Sequence, residues 1–359
     1  MMKGSLRSTQ SGVALIMVMV AIFALSVLVG AFAYSMKVET KLAQNANNGE
    51  TLIWLGRSGV ELARWVLAEQ MTIPGEPYDS LNQKWAGGPG SINASNSPLA
   101  SVSLDNYRIG EGTVSIKITD LERKVNINLA TEPVLQQTLT SLGMDASEAP
   151  AVADGILDWI DSDDATRING AESDYYQGME APYYAKNGVI DDLSELLLIR
   201  GISQEVYWGI ASSNHFAAAF QKKDRYGKVI QQPSYAGGLV DVFTPLSRGK
   251  ININTASVNV LQAIPGIEQN LAEQIIKLRS GPDGIDGTED DTPFIRPGDG
   301  IEAVVGHAAA AQIQQFCDVR SYTFEVRVDA EIGGSKRTFF AFIGRNSPRD
   351  LQVLGFFWK

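Results

Sequence analysis

The sequence contains very little cysteine and histidine. Cys317 is the one cysteine among 359 residues, and His215 and His307 are the two histidines. A single cysteine excludes an intramolecular disulfide and every metal site built from several cysteines. Neither histidine has a carboxylate or a nucleophile at a spacing typical of a catalytic group. The composition therefore disfavours zinc-dependent and conventional nucleophilic catalysis.

Recognised catalytic and phosphate-binding motifs are absent as well. The chain has no GxSxG, no Walker phosphate loop, no HExxH and no GxGxxG that follows a strand. Its formal net charge of −11 would repel the phosphates of a nucleic acid. The sequence therefore predicts a protein that is not an enzyme and has no nucleic-acid partner. An apolar fraction of 44% indicates a folded core.

Charge is missing from one long segment near the N-terminus. No charged residue occurs between Arg7 and Lys37, and Val13–Tyr34 is almost wholly apolar. A helix of this length crosses a hydrocarbon core of about 30 Å. Lys3 and Arg7 precede the segment, and basic flanks stay on the cytoplasmic side. We therefore expect a single-pass anchor in a bacterial inner membrane, with the C-terminal domain in the periplasm.

Three interpretations of this N-terminus compete. A cleaved secretory signal ending at Ala31–Ala33 would have an apolar region longer than the usual length of about 7 to 15 residues. A plain uncleaved anchor explains the length and the charges, but not the abrupt polar stretch Ser8–Gly12. A prepilin-type leader explains both, because the leader is removed and the apolar helix remains.

The residues at this junction favour the third interpretation. Ser11–Ile16 resembles the leader junction of type IV pilin-like precursors. By that resemblance the prepilin peptidase cleaves after Gly12, and Val13 becomes the new, methylated N-terminus. The fifth mature position, which sets the register of such filaments, is Met17 where major pilins carry glutamate. The first mature position also differs, since it is valine rather than phenylalanine.

The N-terminal helix is predicted to continue beyond the membrane. No proline follows Lys37 until Pro74, so the helix can extend to about residue 71. Apolar and small residues recur at helical spacing in its second half: Leu52, Leu55, Gly59, Leu62 or Ala63, and Val66. This stripe indicates a helix that packs on a globular body.

Alternating patterns predict strands in two distant parts of the chain. Early strands are expected at Val102–Ile109 and Thr113–Thr119, and late strands at Tyr322–Asp329, Lys336–Ile343 and Leu351–Trp358. Because a lone hairpin is marginal in water, both groups are expected to form one antiparallel sheet on the helix. The fold class is therefore α+β, with a large all-α insert between the two groups.

The insert contains an internal repeat. Lys124–Ala130 resembles Lys250–Ala256, and each copy is expected to begin a helical unit. After the second copy, Val260–Leu278 predicts a helix, a tight turn at Gly266 and a second helix, which resembles a helix-hairpin-helix. Such motifs elsewhere bind the DNA backbone. The acidic neighbours Glu268 and Glu273 favour a packing role instead.

The order of these parts resembles the minor pseudopilin K family of type II secretion over nearly the whole chain. Beyond the repeat, the resemblance is carried by Asp158–Asp163, Gly170–Glu172, Asp174–Tyr176 and Leu193–Gly201. The weakest stretches, Met71–Ala100 and Phe220–Leu239, are predicted to be loops of variable length. The predicted boundaries are 1–12 for the leader, 13–71 for the helix with its transmembrane part at 13–34, 72–122 and 320–359 for the sheet, and 123–319 for the insert.

The resemblance implies a structural subunit of a secretion filament. It implies a position at the tip of the pseudopilus, in a complex with the minor pseudopilins I and J, and a role in initiating or capping filament assembly. A minor pilin of a type IV pilus is the second interpretation. A membrane-tethered, calcium-dependent enzyme is the third, from another functional class.

Two acidic segments are candidate metal sites. The first offers Asp161, Asp163, Glu172 and Asp174, with more hard oxygen donors than the neighbouring positive charge neutralises. Its spacing is not that of an EF-hand, so a solvated helix end is the alternative. The family resemblance implies calcium here. The second segment places glycines between carboxylates and offers Asp283, Asp286 and Asp290.

Overall fold

A computed structural model describes residues 10–209 and 237–358. Residues 1–9 of the predicted leader, His215 and nearly all of the predicted loop Phe220–Leu239 lie outside the described residues. The first part of the chain contains helix α1 (Gln10–Gln70), strands β1 (Tyr107–Ile109), β2 (Gly112–Asp120) and β3 (Val125–Asn126), and helices α2 (Glu132–Ser141), α3 (Ala149–Ile160), α4 (Ser173–Gln177) and α5 (Gln204–Trp208).

The second part begins with helix α6 and ends with the longest strands. Its elements are α6 (Leu239–Val242), β4 (Phe243–Thr244), β5 (Ile251–Asn252), α7 (Val258–Gln262), α8 (Gln269–Arg279), α9 (Asp299–Val305), α10 (His307–Gln314), β6 (Cys317–Asp318), β7 (Thr323–Ile332), β8 (Ser335–Ser347) and β9 (Asp350–Trp358). Short 3-10 turns occur at Lys84–Ala86, Ile92–Asn96, Pro98–Ser101, Ile127–Leu129 and Leu193–Leu198.

Helix α1 has two halves with opposite environments. Its N-terminal half is exposed, whereas the predicted stripe in its second half is buried against the sheet. Two glycines allow a close approach: a Cβ at Gly56 would collide with the ring of Phe339, and one at Gly59 with Val328. The prediction of a long helix that packs on a globular body through one stripe is confirmed.

The sheet under α1 is antiparallel and has the strand order β1-β2-β7-β8-β9. It joins the early and the late strands, as predicted, through the long pairing of β2 with β7. The predicted first strand was wrong over 102–106, because β1 begins only at Tyr107. Ser103 folds the preceding residues into a local turn: its hydroxyl accepts from the Asp105 amide and donates to the Asp105 carbonyl.

Two clusters of buried side chains stabilise the protein. One lies between α1 and the sheet and includes Leu67, Phe324 and Phe339. The other lies within the residues from Val125 to Val319 and consists mainly of helix side chains. This second part is not purely helical, since β3 pairs with β4 and β5 pairs with β6 in short parallel ladders.

The internal repeat has one structural role in both copies. The amide of Asn128 donates to the Ile190 carbonyl and accepts from the Ile190 N–H, at 3.0 and 2.7 Å. Asn254, four residues after Lys250 as Asn128 is after Lys124, makes the same pair with Phe294 at 3.0 and 2.8 Å. Each copy therefore ties a two-residue strand to a distant loop through one asparagine.

The predicted helix-hairpin-helix is present as α7, a turn at Gly266 and α8. Gly266 has φ of +92°, a conformation that a side chain disfavours. Gln137 of α2 donates to the carbonyls of Gln262 and Ile264 at 2.7 and 2.9 Å. The hairpin is thus held against α2 by hydrogen bonds to its turn.

Candidate functional site

The apolar half of α1 is the first functional feature. Among the described residues, one helix is long and apolar enough to cross a membrane, and none of its most apolar window is covered by the rest of the protein. A core helix of the same composition would be buried, so this segment needs a lipid or protein environment. Gly12 and Val13 lie near the start of α1, and the side chain of Met17 is 66% exposed.

The first acidic segment contains a carboxylate that is buried without a partner. Glu172 precedes α4 and is only 3% exposed, yet neither of its carboxylate oxygens has a hydrogen-bond partner. One oxygen of Asp161, Oδ1, is also buried without a hydrogen-bond partner. Burial raises the pKa of Glu172 to about 7, and the negative charges of Asp158 and Asp161 add to the effect.

Positive charge near this carboxylate is limited. Arg167 lies 3.3 Å from Asp158 Oδ1 and 3.7 Å from Asp161 Oδ2, and its side chain is 42% exposed. Asp158 itself is fully buried at the end of α3. Gly170 packs directly on the Asp158 carboxylate, where a Cβ would leave no space. Arg200 also reaches this segment, but it donates to the Gly170 carbonyl. The segment therefore combines buried negative charge with a partly exposed guanidinium of Arg167, and neither arginine forms an ion pair with Glu172.

The predicted ligands of this segment differ in burial and in their hydrogen bonds. Asp161 and Glu172 lie close enough to interact, whereas Asp163 is exposed and accepts from the Ala165 amide. Asp174 is exposed in the first turn of α4. Asp158, which is not among the predicted ligands, is the most buried carboxylate here. Its position in the last turn of α3, three residues before Asp161, was the available signal.

The segment offers oxygen donors suited to a hard cation, but these donors do not surround a common point as the ligands of a bound ion would. Within the described ranges, no group of three Asp, Glu, His or Cys side chains has the arrangement of a metal site. Orphaned oxygens on Glu172 and Asp161 are nevertheless the donors that calcium prefers. Asp158, Asp161 and Glu172 are therefore the residues that would hold calcium, with Asp163 close by.

The second acidic segment satisfies its carboxylates internally. Asp286 forms a two-pronged ion pair with the buried Arg279, at 2.9 and 2.6 Å. Asp290 accepts from the amide of Asp283 and from the hydroxyl of Thr288, at 3.0 and 2.8 Å. Asp283 accepts from the Ile285 amide. Each of the three predicted ligands thus has a partner in or beside its own loop.

A third acidic group was not predicted from the sequence. Asp79, Asp120, Glu122 and Arg345 are each about 1% exposed, between the sheet and the adjoining helical part. Arg345 forms an ion pair with Asp79 and donates to the Ser321 carbonyl. Because these residues are far apart in the chain, no local pattern could have indicated their association. We call them the junction network, together with Asn252.

Several elements of the fold supply the hydrogen bonds to the carboxylates of the junction network. Asn252 of β5 donates to the Asp79 carbonyl at 3.1 Å and to Asp120 at 3.3 Å. Glu122 accepts from the amides of Tyr322 and Thr323, at 3.0 and 2.9 Å. Burial, with the charge of Glu122 second, raises the pKa of Asp120 to about 7. Burial also raises the pKa of Glu122.

Comparisons with known proteins agree with this architecture. The family model described as type II secretion system (T2SS), protein K, matches residues 116–212, and a helix-hairpin-helix motif model matches residues 247–285. Type II secretion system protein K of Pseudomonas aeruginosa is 23% identical over 97% of this chain and 93% of its own length. A putative protein K of Escherichia coli K12 is 32% identical over 21% of this chain and 23% of its own length.

A solved structure shares the fold. It is a chain of the GspK–GspI–GspJ complex from the enterotoxigenic Escherichia coli type 2 secretion system, with a TM-score of 0.61 and 18% identity. The match covers 88% of this chain and 99% of that one. The shared features are the N-terminal helix and the antiparallel sheet on which its second half packs. The chain is therefore similar to type II secretion system protein K along nearly its whole length, and it shares the fold of a chain in that complex.

Proposed function

We propose that this protein is a minor pseudopilin that lies at the tip of the type II secretion pseudopilus and initiates or caps filament assembly, so that folded proteins cross the outer membrane. It acts by assembly rather than by catalysis. The observation that carries the proposal is one continuous helix, α1, whose first half is uncovered and whose second half carries the globular part. Deletion of the gene is expected to stop exoprotein release, and restoration of the gene to restore it.

The proposed location is the bacterial inner membrane, with the C-terminal domain in the periplasm. The prepilin peptidase is the proposed maturation enzyme, with cleavage after Gly12 and methylation of Val13. Mass spectrometry of the membrane-extracted protein should find Val13 as the first residue, and Gly12→Val should leave the precursor uncleaved. A mature chain that begins at Tyr34 would instead indicate an ordinary signal peptide.

The proposed partners are the minor pseudopilins I and J. The solved structure that shares this fold belongs to a complex of GspK with GspI and GspJ, which supports the same association here. Co-purification of the full-length protein with both subunits from solubilised membranes tests the proposal. A type IV pilus role would instead appear as loss of twitching with normal exoprotein release, and the relatives do not favour it.

Met17 supports a position at the tip. A glutamate in the hydrocarbon region costs on the order of 2.5 to 3.5 kcal/mol on insertion scales unless a neighbouring charge offsets it. A subunit with nothing above it has no such neighbour, and Met17 avoids this cost. Immunogold labelling should therefore find the protein at the distal end of the filament, and repeated labelling along the shaft would contradict this position.

We also propose that calcium binds at the first acidic segment. The bare oxygens of Glu172 and Asp161 support this, because a bound cation would compensate charges that the chain leaves unpaired. Bound calcium would supply positive charge, would be coordinated by the carboxylate oxygens, and would fix the loop between α3 and α4. The second acidic segment, with its internal partners, offers no comparable support. Calcium-dependent thermal stability tests the site, as described below.

A further inference from the structure

Asn187 carries a buried oxygen without a partner, as Glu172 and Asp161 do. The Oδ1 atom of Asn187, Oδ1 of Asp161 and both carboxylate oxygens of Glu172 are buried and accept no hydrogen bond. Among the described residues, the only other buried amide or carboxylate oxygens in this condition belong to Gln70 and Glu195. Asn187 is thus a third residue, beside two proposed calcium ligands, that has an oxygen available for a partner.

Hydrogen bonds place the Asn187 side chain beside the proposed calcium site. Its Nδ2 donates to the Asp163 carbonyl and to Asp164 Oδ1, each at 3.0 Å. The same oxygen of Asp164 accepts from the hydroxyl of Ser173 at 3.1 Å, and Ser173 follows Glu172 in the chain. Asn187 and the neighbour of Glu172 therefore both lie within hydrogen-bond distance of one carboxylate oxygen, in the loop between α3 and α4.

These two bonds also determine which end of the Asn187 amide is free. A carboxamide has one oxygen and one nitrogen, and only the nitrogen donates. If the amide were reversed, its oxygen would face the Asp163 carbonyl and the Asp164 carboxylate, two acceptors that cannot donate to it. Nδ2 therefore faces these two acceptors, and Oδ1 remains as a neutral acceptor without a donor.

The backbone at Asn187 has an uncommon conformation. Its φ is +48°, and among the described residues other than glycine only Asn106, at +51°, also has a positive φ. Asparagine tolerates this left-handed region better than most residues. The next amide, that of Gly188, donates to the carbonyl of Trp159 in the last turn of α3 at 3.3 Å. Residues 187–188 therefore lie against the end of the helix from which the acidic loop begins.

The segment 187–190 connects the acidic loop to the internal repeat. Ile190 uses both its N–H and its carbonyl to bond the side chain of Asn128, which belongs to the first copy of the repeat. Asn187 precedes Ile190 by three positions. The segment is therefore held at residue 190 by the repeat, and at residue 187 it contacts the loop that is proposed to bind calcium.

The second copy of the repeat provides a comparison for Asn187. Phe294 is bonded by the second repeat asparagine as Ile190 is by the first, and Asp291 precedes Phe294 by three positions. Asp291 accepts from the amides of Gly287 and Thr288 at 2.8 and 3.4 Å. The residue at this position contacts the acidic loop in both copies. Its oxygens find donors in the second copy, whereas Oδ1 of Asn187 finds none in the first.

A neutral oxygen suits a calcium site of this composition. Calcium takes about six to eight oxygen ligands, and these include amide and main-chain carbonyls beside carboxylates. The residues that would hold the ion, Asp158, Asp161 and Glu172, are all acidic and repel one another. An amide oxygen adds coordination without adding negative charge. It also gains a partner in this way, and a buried acceptor without one is unfavourable.

We propose that the side-chain oxygen of Asn187 is a ligand of the calcium proposed above, and that the bound ion holds the segment 187–190 against the end of α3. The inference rests on the proposed calcium site and adds to it a neutral ligand from a third part of the chain. In this arrangement the ion joins the loop after α3, the start of α4 and the segment that is bonded to the internal repeat.

Isothermal titration of the full-length, detergent-solubilised and chelator-treated protein with calcium chloride tests the ligand. The site is defined as the binding that Glu172→Gln removes. Asn187→Gly keeps a residue that accepts a positive φ but removes the oxygen, and it should weaken this binding about tenfold. Asn106→Gly makes the same exchange before β1 and should leave the binding unchanged. Equal affinities of Asn187→Gly and the wild type would overturn the proposal while the calcium site itself stands.

Asn187→Asp distinguishes a ligand from a hydrogen-bond donor. Aspartate keeps an oxygen at this position and also occurs in the left-handed region, but its carboxylate cannot donate to Asp163 or Asp164. If Asn187 is a ligand, Asn187→Asp should bind calcium within about threefold of the wild type, because an anionic oxygen replaces a neutral one. A loss as large as that of Asn187→Gly would mean that Nδ2 only positions the loop, and it would overturn the proposal.

Hydrogen exchange measures whether the ion holds the segment. Calcium should slow exchange in a peptide spanning 186–191, which contains the amides of Gly188 and Ile190, in the wild type and in Asn106→Gly but not in Asn187→Gly. Exchange that ignores calcium in a wild-type protein that binds it would overturn the proposal. If the wild-type protein shows no calcium binding that depends on Glu172, the proposed calcium site fails, and the Asn187 ligand fails with it.

Discussion

The junction network and the first acidic segment both bury carboxylates, but they satisfy them in different ways. In the junction network, Arg345, Asn252 and several backbone amides reach Asp79, Asp120 and Glu122. In the acidic segment, the oxygens of Glu172 have no partner. Burial of a charge without compensation is costly, so the two regions cannot have the same role.

This difference separates internal structure from a binding function. In the junction network the carboxylates of Asp79, Asp120 and Glu122 have partners within the chain, and the network connects elements that are distant in sequence, as a structural connection between two cores requires. In the acidic segment both oxygens of Glu172 have no partner within the described residues, which supports the proposed calcium site. Buried acidity alone therefore does not favour a metal site, and the proposal rests on the unpartnered oxygens of Glu172 and Asp161.

The largest effect should come from breaking the junction network. Arg345→Met removes the cation that pairs with Asp79 and leaves a buried carboxylate uncompensated. Removing one member of a buried pair costs about 3 to 5 kcal/mol of unfolding free energy. Chemical denaturation of the purified full-length protein should show this loss, with a lower midpoint and reduced membrane levels of the protein in cells.

A surface pair provides the matched control for Arg345. Lys336 lies 2.9 Å from Glu331, and both side chains are well exposed. Lys336→Met should change the unfolding free energy by less than about 1 kcal/mol. Equal effects of the two substitutions would contradict the structural role assigned to the junction network.

The second effect concerns calcium and the acidic segment. An ion that binds only the folded state at about 100 times its Kd adds about 2.7 kcal/mol to the unfolding free energy. We expect millimolar calcium to raise the melting temperature of chelator-treated protein, and Glu172→Gln or the double change Asp161→Ala with Asp163→Ala to remove most of the gain. Differential scanning calorimetry with and without chelator measures it.

The second acidic loop is the control for this measurement. Asp290→Asn changes a carboxylate whose partners are already within its loop, so the calcium-dependent gain should persist. If Asp290→Asn abolishes the gain while Glu172→Gln retains it, the assignment of the two segments is reversed. A melting temperature that does not respond to calcium would identify the first segment as a solvated loop.

Much of the fold could be predicted from the periodicity of apolar residues in the sequence. The stripe around Leu55 and Val66 and the alternation in β2 and β7 repeat regularly enough to indicate the helix, the strands and their common sheet. The strand predicted from Val102 was too long, because Ser103 forms hydrogen bonds with Asp105 that fold this segment into a turn. The alternation of apolar residues gives no indication of such bonds.

The sites were harder to predict because they depend on three-dimensional proximity. Acidic residues near Asp161 and Asp283 look alike in sequence, and each segment has an arginine. Arg279 is buried and forms a two-pronged pair with Asp286, whereas Arg167 is partly exposed and leaves the Glu172 oxygens without a partner. Arg345 reaches Asp79 across 266 positions, a separation at which a single sequence carries no pairing signal.

The smallest expected effect is the pH dependence of the junction network. The pKa of Asp120 is raised from 3.8 to about 7, so the folded protein holds a proton that the unfolded chain releases near pH 4. Its contribution to stability is complete below about pH 4 and is lost as the pH rises through about 7. Between about pH 6 and pH 8 the loss should be about 1 kcal/mol, because one pKa unit corresponds to about 1.4 kcal/mol.

Because the pKa of Glu172 is also raised to about 7, the measurement belongs in the Glu172→Gln background, with and without Asp120→Asn. Asp120→Asn should flatten the dependence of the melting temperature on pH even where it lowers the temperature itself. A slope that is the same with aspartate and with asparagine would show that Asp120 does not exchange a proton in this range.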